Sequence, residues 1–311
     1  MDIVLMLLGF VFLVVGGEFL VRASVALSLK LNISKMVIGL TVVSFATSLP
    51  ELLVSLNAAL NGSPSIAINN VIGSNIANIG LVLGITVLLG TIHVDKTFYK
   101  FNWPALMIFS FVFYYFLSND NKLDAIEGTV LFLSLLLFIA FSIKQSMGTD
   151  TDDSVENLTM SSNFKIIIWL IIGGVSLYFG AKWLVDSAVV IAQKMGVSEA
   201  VISVSVIAVG TSIPELAASV IAIIRKEKAI SLGNLIGSNI FNIGSVLGLT
   251  SLVKPIMVDD PEILSRDSIW MLVFAGLLLP LTLIFKRDEI KKFEGLILVF
   301  LYGVFIYSVF F

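Results

Sequence analysis

Thr47-Ser48-Leu49-Pro50-Glu51 is the stretch whose reading decides the fold. It sets a proline and a carboxylate inside an otherwise apolar run. It also occurs twice, because Thr211-Ser212-Ile213-Pro214-Glu215 stands 164 positions later. A second block keeps the same offset: Gly73-Ser74-Asn75-Ile76-Ala77-Asn78-Ile79-Gly80 against Gly237-Ser238-Asn239-Ile240-Phe241-Asn242-Ile243-Gly244. From Ile72 to Thr86, 12 of 15 residues match their partners at that offset, with no gap. The chain is therefore read as an internal duplication.

The surrounding composition places these motifs in a membrane. Of 311 residues, 58% are hydrophobic and only 13% are charged, with mean hydropathy +1.03. A soluble domain carries about 25% charge. The net charge of −3 gives no footing for nucleic-acid binding. With no cysteine there is no disulfide framework and no thiolate nucleophile or metal ligand. A single histidine, His93, does not make a zinc site. Met1-Asp2-Ile3 lacks the basic start of a cleaved signal peptide, so the first apolar run is expected to be retained.

A transmembrane helix needs about 20 apolar residues. Ten such spans are expected, roughly at 3–29, 36–60, 66–91, 101–117, 125–143, 164–193, 200–224, 230–252, 267–285 and 293–311. The 164-residue offset maps the first five spans onto the last five. Five is odd, so the second copy enters the membrane from the opposite side. The expected fold class is an all-α polytopic membrane protein of ten transmembrane helices in two inverted five-helix repeats. Residues 1–143 form the first repeat, 144–163 an acidic cytoplasmic linker carrying Asp150, Asp152, Asp153 and Glu156, and 164–311 the second repeat. Connections after the odd-numbered spans hold 13 lysines and arginines against 4 after the even-numbered ones. The basic side faces the cytoplasm, which puts both termini outside.

A carboxylate at bilayer depth is costly and by default marks function. Glu51 lies about 22 Å along the second span at ~1.5 Å per residue, and Glu215 is placed equivalently in the seventh. Two such groups repel each other, and a divalent cation relieves both the repulsion and the desolvation. Calcium takes about 6–8 oxygen ligands, so neighbours must contribute. Pro50 clashes with the carbonyl of Ala46, and Pro214 with that of Gly210. The backbone over 44–47 and 208–211 is accordingly expected to unwind. Thr47 and Ser48 precede Glu51 by four and three residues and share its helix face, as Thr211 and Ser212 do for Glu215. Ser74 and Asn78 share a face at i,i+4, as do Ser238 and Asn242. Glycines 73, 80, 237 and 244 are expected to let the third and eighth spans approach the glutamate helices closely. The pairs Glu18/Arg22 and Lys182/Asp186 are read as local charge neutralisation on the first and sixth spans.

On these two doubled motifs the chain resembles the sodium/calcium exchanger family of the cation/calcium exchanger superfamily, across all ten spans. The resemblance implies an antiporter rather than an enzyme, with no cofactor. Its partners would be Ca²⁺, Na⁺ and the lipid bilayer of the cytoplasmic membrane. No obligate protein partner is evident. It further implies that Glu51 and Glu215 are the central carboxylates and that the carbonyls of Thr47 and Thr211 complete a calcium site. Ser48, Ser74 and the Ser44 carbonyl would form one sodium site, and Ser212, Ser238 and the Ala208 carbonyl another. Asn78 and Asn242 would line the middle. The chain departs from the family pattern in two places. Ala46 stands where glycine is frequent. Both middle positions are neutral, whereas some prokaryotic members and potassium-dependent relatives carry aspartate there. With two acids, one Ca²⁺ gives a neutral site and three Na⁺ a site of +1. H⁺/Ca²⁺ exchange stays open as the alternative coupling.

Overall fold

A computed structural model describes residues 2–63, 65–147, 161–196, 210–258, 260–283 and 288–310. The acidic residues of the 144–163 linker, the first part of the expected seventh span and Ala208 lie outside them. The described chain is a bundle of helices: α1 (Asp2–Leu31), α2 (Lys35–Thr47), α3 (Leu49–Leu60), α4 (Ser65–Leu89), α5 (Phe98–Asp120), α6 (Ala125–Ser146), α7 (Asn163–Lys194), α8 (Ile213–Ile224), α9 (Lys228–Val253), α10 (Ile263–Leu283) and α11 (Lys292–Val309). Among the described residues, eight helices are long and apolar enough to cross a membrane, and nine if the bent α2–α3 pair is one span. The architecture is an all-helical polytopic membrane fold.

The prolines act where their chemistry predicts, but over a shorter stretch. Residues Ser44–Thr47 are still α-helical, and the break falls on Ser48 alone (φ −86°, ψ 3°). The Ser48 N–H keeps its bond to the Ser44 carbonyl at 2.9 Å. Beyond Ser48 the axis turns by 43°. Pro50 and Pro214 then stand in the first turn of α3 and α8, where a missing N–H costs no helix bond. Ser212 has nearly the same backbone as Ser48 (φ −85°, ψ 2°). Wide π-type turns occupy Gly39–Val43 in α2, Asn78–Leu83 in α4 and Asn242–Leu247 in α9. The last two begin on the asparagines singled out in the sequence. Such turns concentrate at functional sites.

Burial ranks the helices. The most apolar stretches of α4 and α9 are 78% and 83% buried, against 28–39% for the other candidate spans. These two therefore form the centre, and the others present an apolar face outward. Two-residue strands tie the ends of the bundle: β1 (Ile92–His93) pairs with β4 (Glu289–Ile290), and β2 (Lys122–Leu123) with β3 (Ile256–Met257). The sequence showed no strand signal at this length. His93 Nδ1 lies 3.0 Å from Glu289 Oε1.

Glycines set the close approaches. A Cβ on Gly9 of α1 would stand 2.8 Å from the Gly180 carbonyl of α7, and one on Gly16 would stand 2.8 Å from Leu177 N. In the centre, a Cβ on Gly39 would stand 3.1 Å from both Asn234 N and Gly233 Cα of α9. Gly80 and Gly244 do not serve the glutamate helices as expected. Gly80 meets Phe274 and Tyr302 of α10 and α11, and Gly244 meets Leu135 and Phe109 of α6 and α5. They face the outer helices because they lie a further half-turn along α4 and α9 than the site asparagines. Glu18 binds Arg22 at 2.6 Å and also reaches Arg225 after α8 at 2.7 Å, so that charge crosses between helices rather than only neutralising its own.

Gly39→Val is expected to destabilise the purified protein by about 1–3 kcal/mol through overpacking, lowering its thermal midpoint. Gly174→Ala on α7 adds a methyl that meets nothing within 4 Å and should leave the midpoint in place. Fluorescence-monitored melting of both variants checks this, and equal midpoints would remove the α2–α9 contact as a determinant of stability.

Candidate functional site

The break at Ser48, the start of α8 and the π turns of α4 and α9 meet in the buried centre. Glu51 and Glu215 are both fully buried there, as are Thr47, Asn78, Ser238 and Asn242. The two halves interleave. Ser48 Oγ, from α2–α3, lies 3.4 Å from Glu215 Oε1 on α8. Thr47 Oγ1 lies 3.2 Å from Ser238 Oγ on α9, and Thr211 Oγ1 lies 3.0 Å from Ser74 Oγ on α4. These last two contacts are the same contact 164 residues apart. Ser44 Oγ sits 2.8 Å from the Gly39 carbonyl and 2.9 Å from that of Asn234. The structure thus brings together Glu51, Glu215, Thr47, Thr211, Ser48, Ser74 and Ser238. Ser212 is buried beside Glu215 at the head of α8.

The site is short of donors. Among the described residues, Glu51 Oε1 and Oε2, Glu215 Oε2, Ser212 Oγ, Asn78 Oδ1 and Asn242 Oδ1 are buried without a hydrogen-bond partner. Carboxylate and amide oxygens accept and cannot donate. Buried acceptors left this way are expensive in protein and more so at bilayer depth. The set is all oxygen, which is the ligand chemistry of hard cations.

Sequence reasoning missed the residues behind this set. Asn70 Nδ2 reaches Ser55 Oγ at 3.2 Å and the Glu51 carbonyl at 3.4 Å. Asn234 Nδ2 reaches Ser219 Oγ at 3.1 Å, and its Oδ1 accepts from Thr47 at 3.1 Å. Asn75 and Asn239 bind the amides of Asn242 and Asn78. Each pair, Asn70/Asn234, Ser55/Ser219 and Asn75/Asn239, recurs at 164. That offset was the available signal. Ser55 and Ser219 stand four residues after the glutamates, and Asn70 and Asn234 four before Ser74 and Ser238, so helix-face spacing also pointed to them; Asn75 and Asn239 lie off that spacing.

Among the described residues, a cavity adjoins the site at Thr211. The cavity, of about 460 Å³, is lined by Pro50, Asn70, Gly73, Lys182, Asp186 and Thr211 among others. A Cβ on Gly73 would meet none of the described residues within 4 Å, whereas one on its counterpart Gly237 would run into Leu40 and Ser44 of α2. Elsewhere in the centre, Gly39 and Gly233 bring the backbones of α2 and α9 into contact.

The sequence profile of the sodium/calcium exchanger protein family matches residues 1–144 and 165–311. The chain is 36% identical to CaxA of Alkalimonas amylolytica over 302 residues, 95% of this chain and 94% of that one. It is 29% identical to the sodium/calcium exchanger MaX1 of Methanosarcina acetivorans over 348 aligned positions, covering 100% and 99% of the two chains. Its fold is similar to that of the sodium-calcium exchanger NCX_Mj determined in 10 mM Na⁺ without Ca²⁺, with a TM-score of 0.84, 32% identity, and 99% and 98% of the chains covered. An all-helical membrane bundle, doubled buried motifs and matches along its whole length agree: the chain belongs to the sodium/calcium exchanger protein family.

Proposed function

We propose that this chain exchanges Na⁺ for Ca²⁺ across the cytoplasmic membrane by alternating access, extruding Ca²⁺. The observation that carries the reading is the set of six buried, unpartnered oxygens centred on Glu51 and Glu215. Two carboxylates balance one Ca²⁺, while three Na⁺ leave the site at +1. The remaining ligands would come from Thr47, Thr211, Ser48, Ser212, Ser74, Ser238, Asn78, Asn242 and the Ser44 and Ala208 carbonyls. Ca²⁺ and Na⁺ then compete for one constellation. Without an ion the carboxylates stay uncompensated at bilayer depth, which disfavours carrying an empty site across and enforces exchange over leak.

The same reading takes the chain as ten spans in two inverted halves, 1–143 and 164–311, joined by a cytoplasmic linker at 144–163. Support comes from contacts that recur at the 164-residue offset and from the strand pairs that join the halves crosswise. With the basic connections inside and both termini outside, the cavity over Gly73 and Thr211 opens to the exterior. The structures of NCX_Mj concern extracellular ion exchange, in keeping with that orientation.

Radiolabelled Ca²⁺ uptake into Na⁺-loaded proteoliposomes tests the coupling, with Na⁺ and pH gradients varied separately. Uptake is expected to follow the Na⁺ gradient at fixed pH. Uptake that follows the pH gradient alone would replace Na⁺ by H⁺ as the coupling ion. Glu51→Gln and Glu215→Gln should each reduce uptake to that of protein-free vesicles while keeping a monodisperse protein, and normal exchange by both would sink the site assignment.

The orientation has its own check. The chain has no cysteine, so single cysteines report cleanly. Asn69→Cys, in the cavity lining, should react with a membrane-impermeant thiol reagent added outside intact cells. Lys30→Cys should react only after permeabilisation. The reverse pattern would invert the topology.

A further inference from the structure

We propose that Asn75 and Asn239 are positioning residues: they hold the amides of Asn242 and Asn78 so that Oδ1, and never Nδ2, is offered to the ion. The inference rests on the cation site proposed above and adds what sets its polarity.

An asparagine amide is nearly symmetric in shape but not in chemistry. One end accepts and the other donates, and a half-turn about the last bond exchanges them. A neutral asparagine in a cation site is therefore a ligand in one orientation and a source of repulsion in the other. Asn78 and Asn242 are fully buried, with no solvent to correct a wrong choice.

The choice is made by two main-chain carbonyls, which cannot turn over. Asn75 Nδ2 donates to the Asn239 carbonyl at 3.2 Å, and Asn239 Nδ2 donates to the Asn75 carbonyl at 3.3 Å. Each carbonyl accepts only, so each facing side chain must present its NH₂ there. The Oδ1 of Asn75 and of Asn239 then points the other way. Asn242 Nδ2 donates to Asn75 Oδ1 at 3.1 Å, and Asn78 Nδ2 donates to Asn239 Oδ1 at 3.1 Å. With their donor ends committed, Asn78 and Asn242 have Oδ1 left over, and these are two of the buried oxygens without a partner. The chain of causes runs from backbone carbonyl to positioning amide to site amide, across the α4–α9 contact in both directions. Asn75 and Asn239 are themselves only 1% exposed, so the relay is isolated from water.

The relay predicts a specific coupling. A carboxylate at 242 has two equivalent oxygens and no wrong face, so it needs no orientation. It would also set an acceptor against Asn75 Oδ1, a conflict that removing the Asn75 amide relieves. Asn75→Leu keeps similar bulk beside Met271, whose sulfur already touches the Asn75 amide at 3.8 Å, but removes the relay.

The experiment measures Ca²⁺ binding by calorimetry, and the KM and maximal rate of Ca²⁺ uptake, for wild type, N75L, N242D, N75L/N242D and Glu51→Gln. N75L is expected to weaken Ca²⁺ binding about tenfold, as loss of a ligand-orienting partner does, and to cost less than roughly threefold in the N242D background. The loss should appear in KM more than in maximal rate. Equal losses in both backgrounds would mean a merely structural role and overturn the proposal. Unchanged affinity in N75L while Glu51→Gln abolishes binding would also overturn it and leave the ion site standing. Unchanged binding in both N75L and Glu51→Gln would overturn the site as well. Should N75L fail to fold, N239L beside N78D asks the same question of the other half and is read the same way.

Discussion

Two carboxylates held out of water in an apolar bundle constrain everything around them. Glu51 and Glu215 are fully buried, and an isolated charge so placed is among the most expensive features a fold can carry. The neighbouring architecture supplies oxygen at short range. Serine and threonine hydroxyls reach across from the opposite half. The helices begun by Pro50 and Pro214 put their first turns, the positive ends of their dipoles, at the carboxylates. The innermost helices, α4 and α9, carry asparagines instead of apolar side chains at their centre. The centre thus holds a cluster of buried oxygen acceptors inside an otherwise apolar core.

The duplication explains how a chain of this size builds such a centre. Each half contributes one glutamate at the head of a proline-started helix and one asparagine-rich helix. Neither half completes its own contacts: Ser48 reaches Glu215, Thr47 reaches Ser238, and Ser74 reaches Thr211. The asparagine relay is reciprocal between α4 and α9. The polar site therefore joins the two halves, alongside the close glycine contacts of α1 with α7 and of α2 with α9.

Near-identical motifs nonetheless end up in different surroundings. Gly237 is packed against α2 while Gly73 faces the cavity. Local sequence contributes to the difference. Gly39 and Gly233 let α2 and α9 meet backbone to backbone. At the positions 164 residues away the chain has Ser203 and Asn69. Asn69 carries a side chain into the cavity lining, where Gly233 has none.

The sequence alone determined the membrane class, the positions of the spans other than the seventh to within a few residues, and the paired glutamates with their hydroxyl neighbours. Those features are local: hydropathy over one span, proline chemistry within one turn, and spacing along one helix face. The sequence also held the doubling, because an offset needs no coordinates. The tertiary structure decided what depends on contact between distant segments. It narrowed the break to Ser48, turned Gly80 and Gly244 toward outer helices, joined the strand ends crosswise and placed a cavity beside Thr211. It also revealed Asn75 and Asn239. Their role is invisible in spacing, because each acts on a residue of the other half, and an amide's polarity is set only when a fixed carbonyl comes to face it.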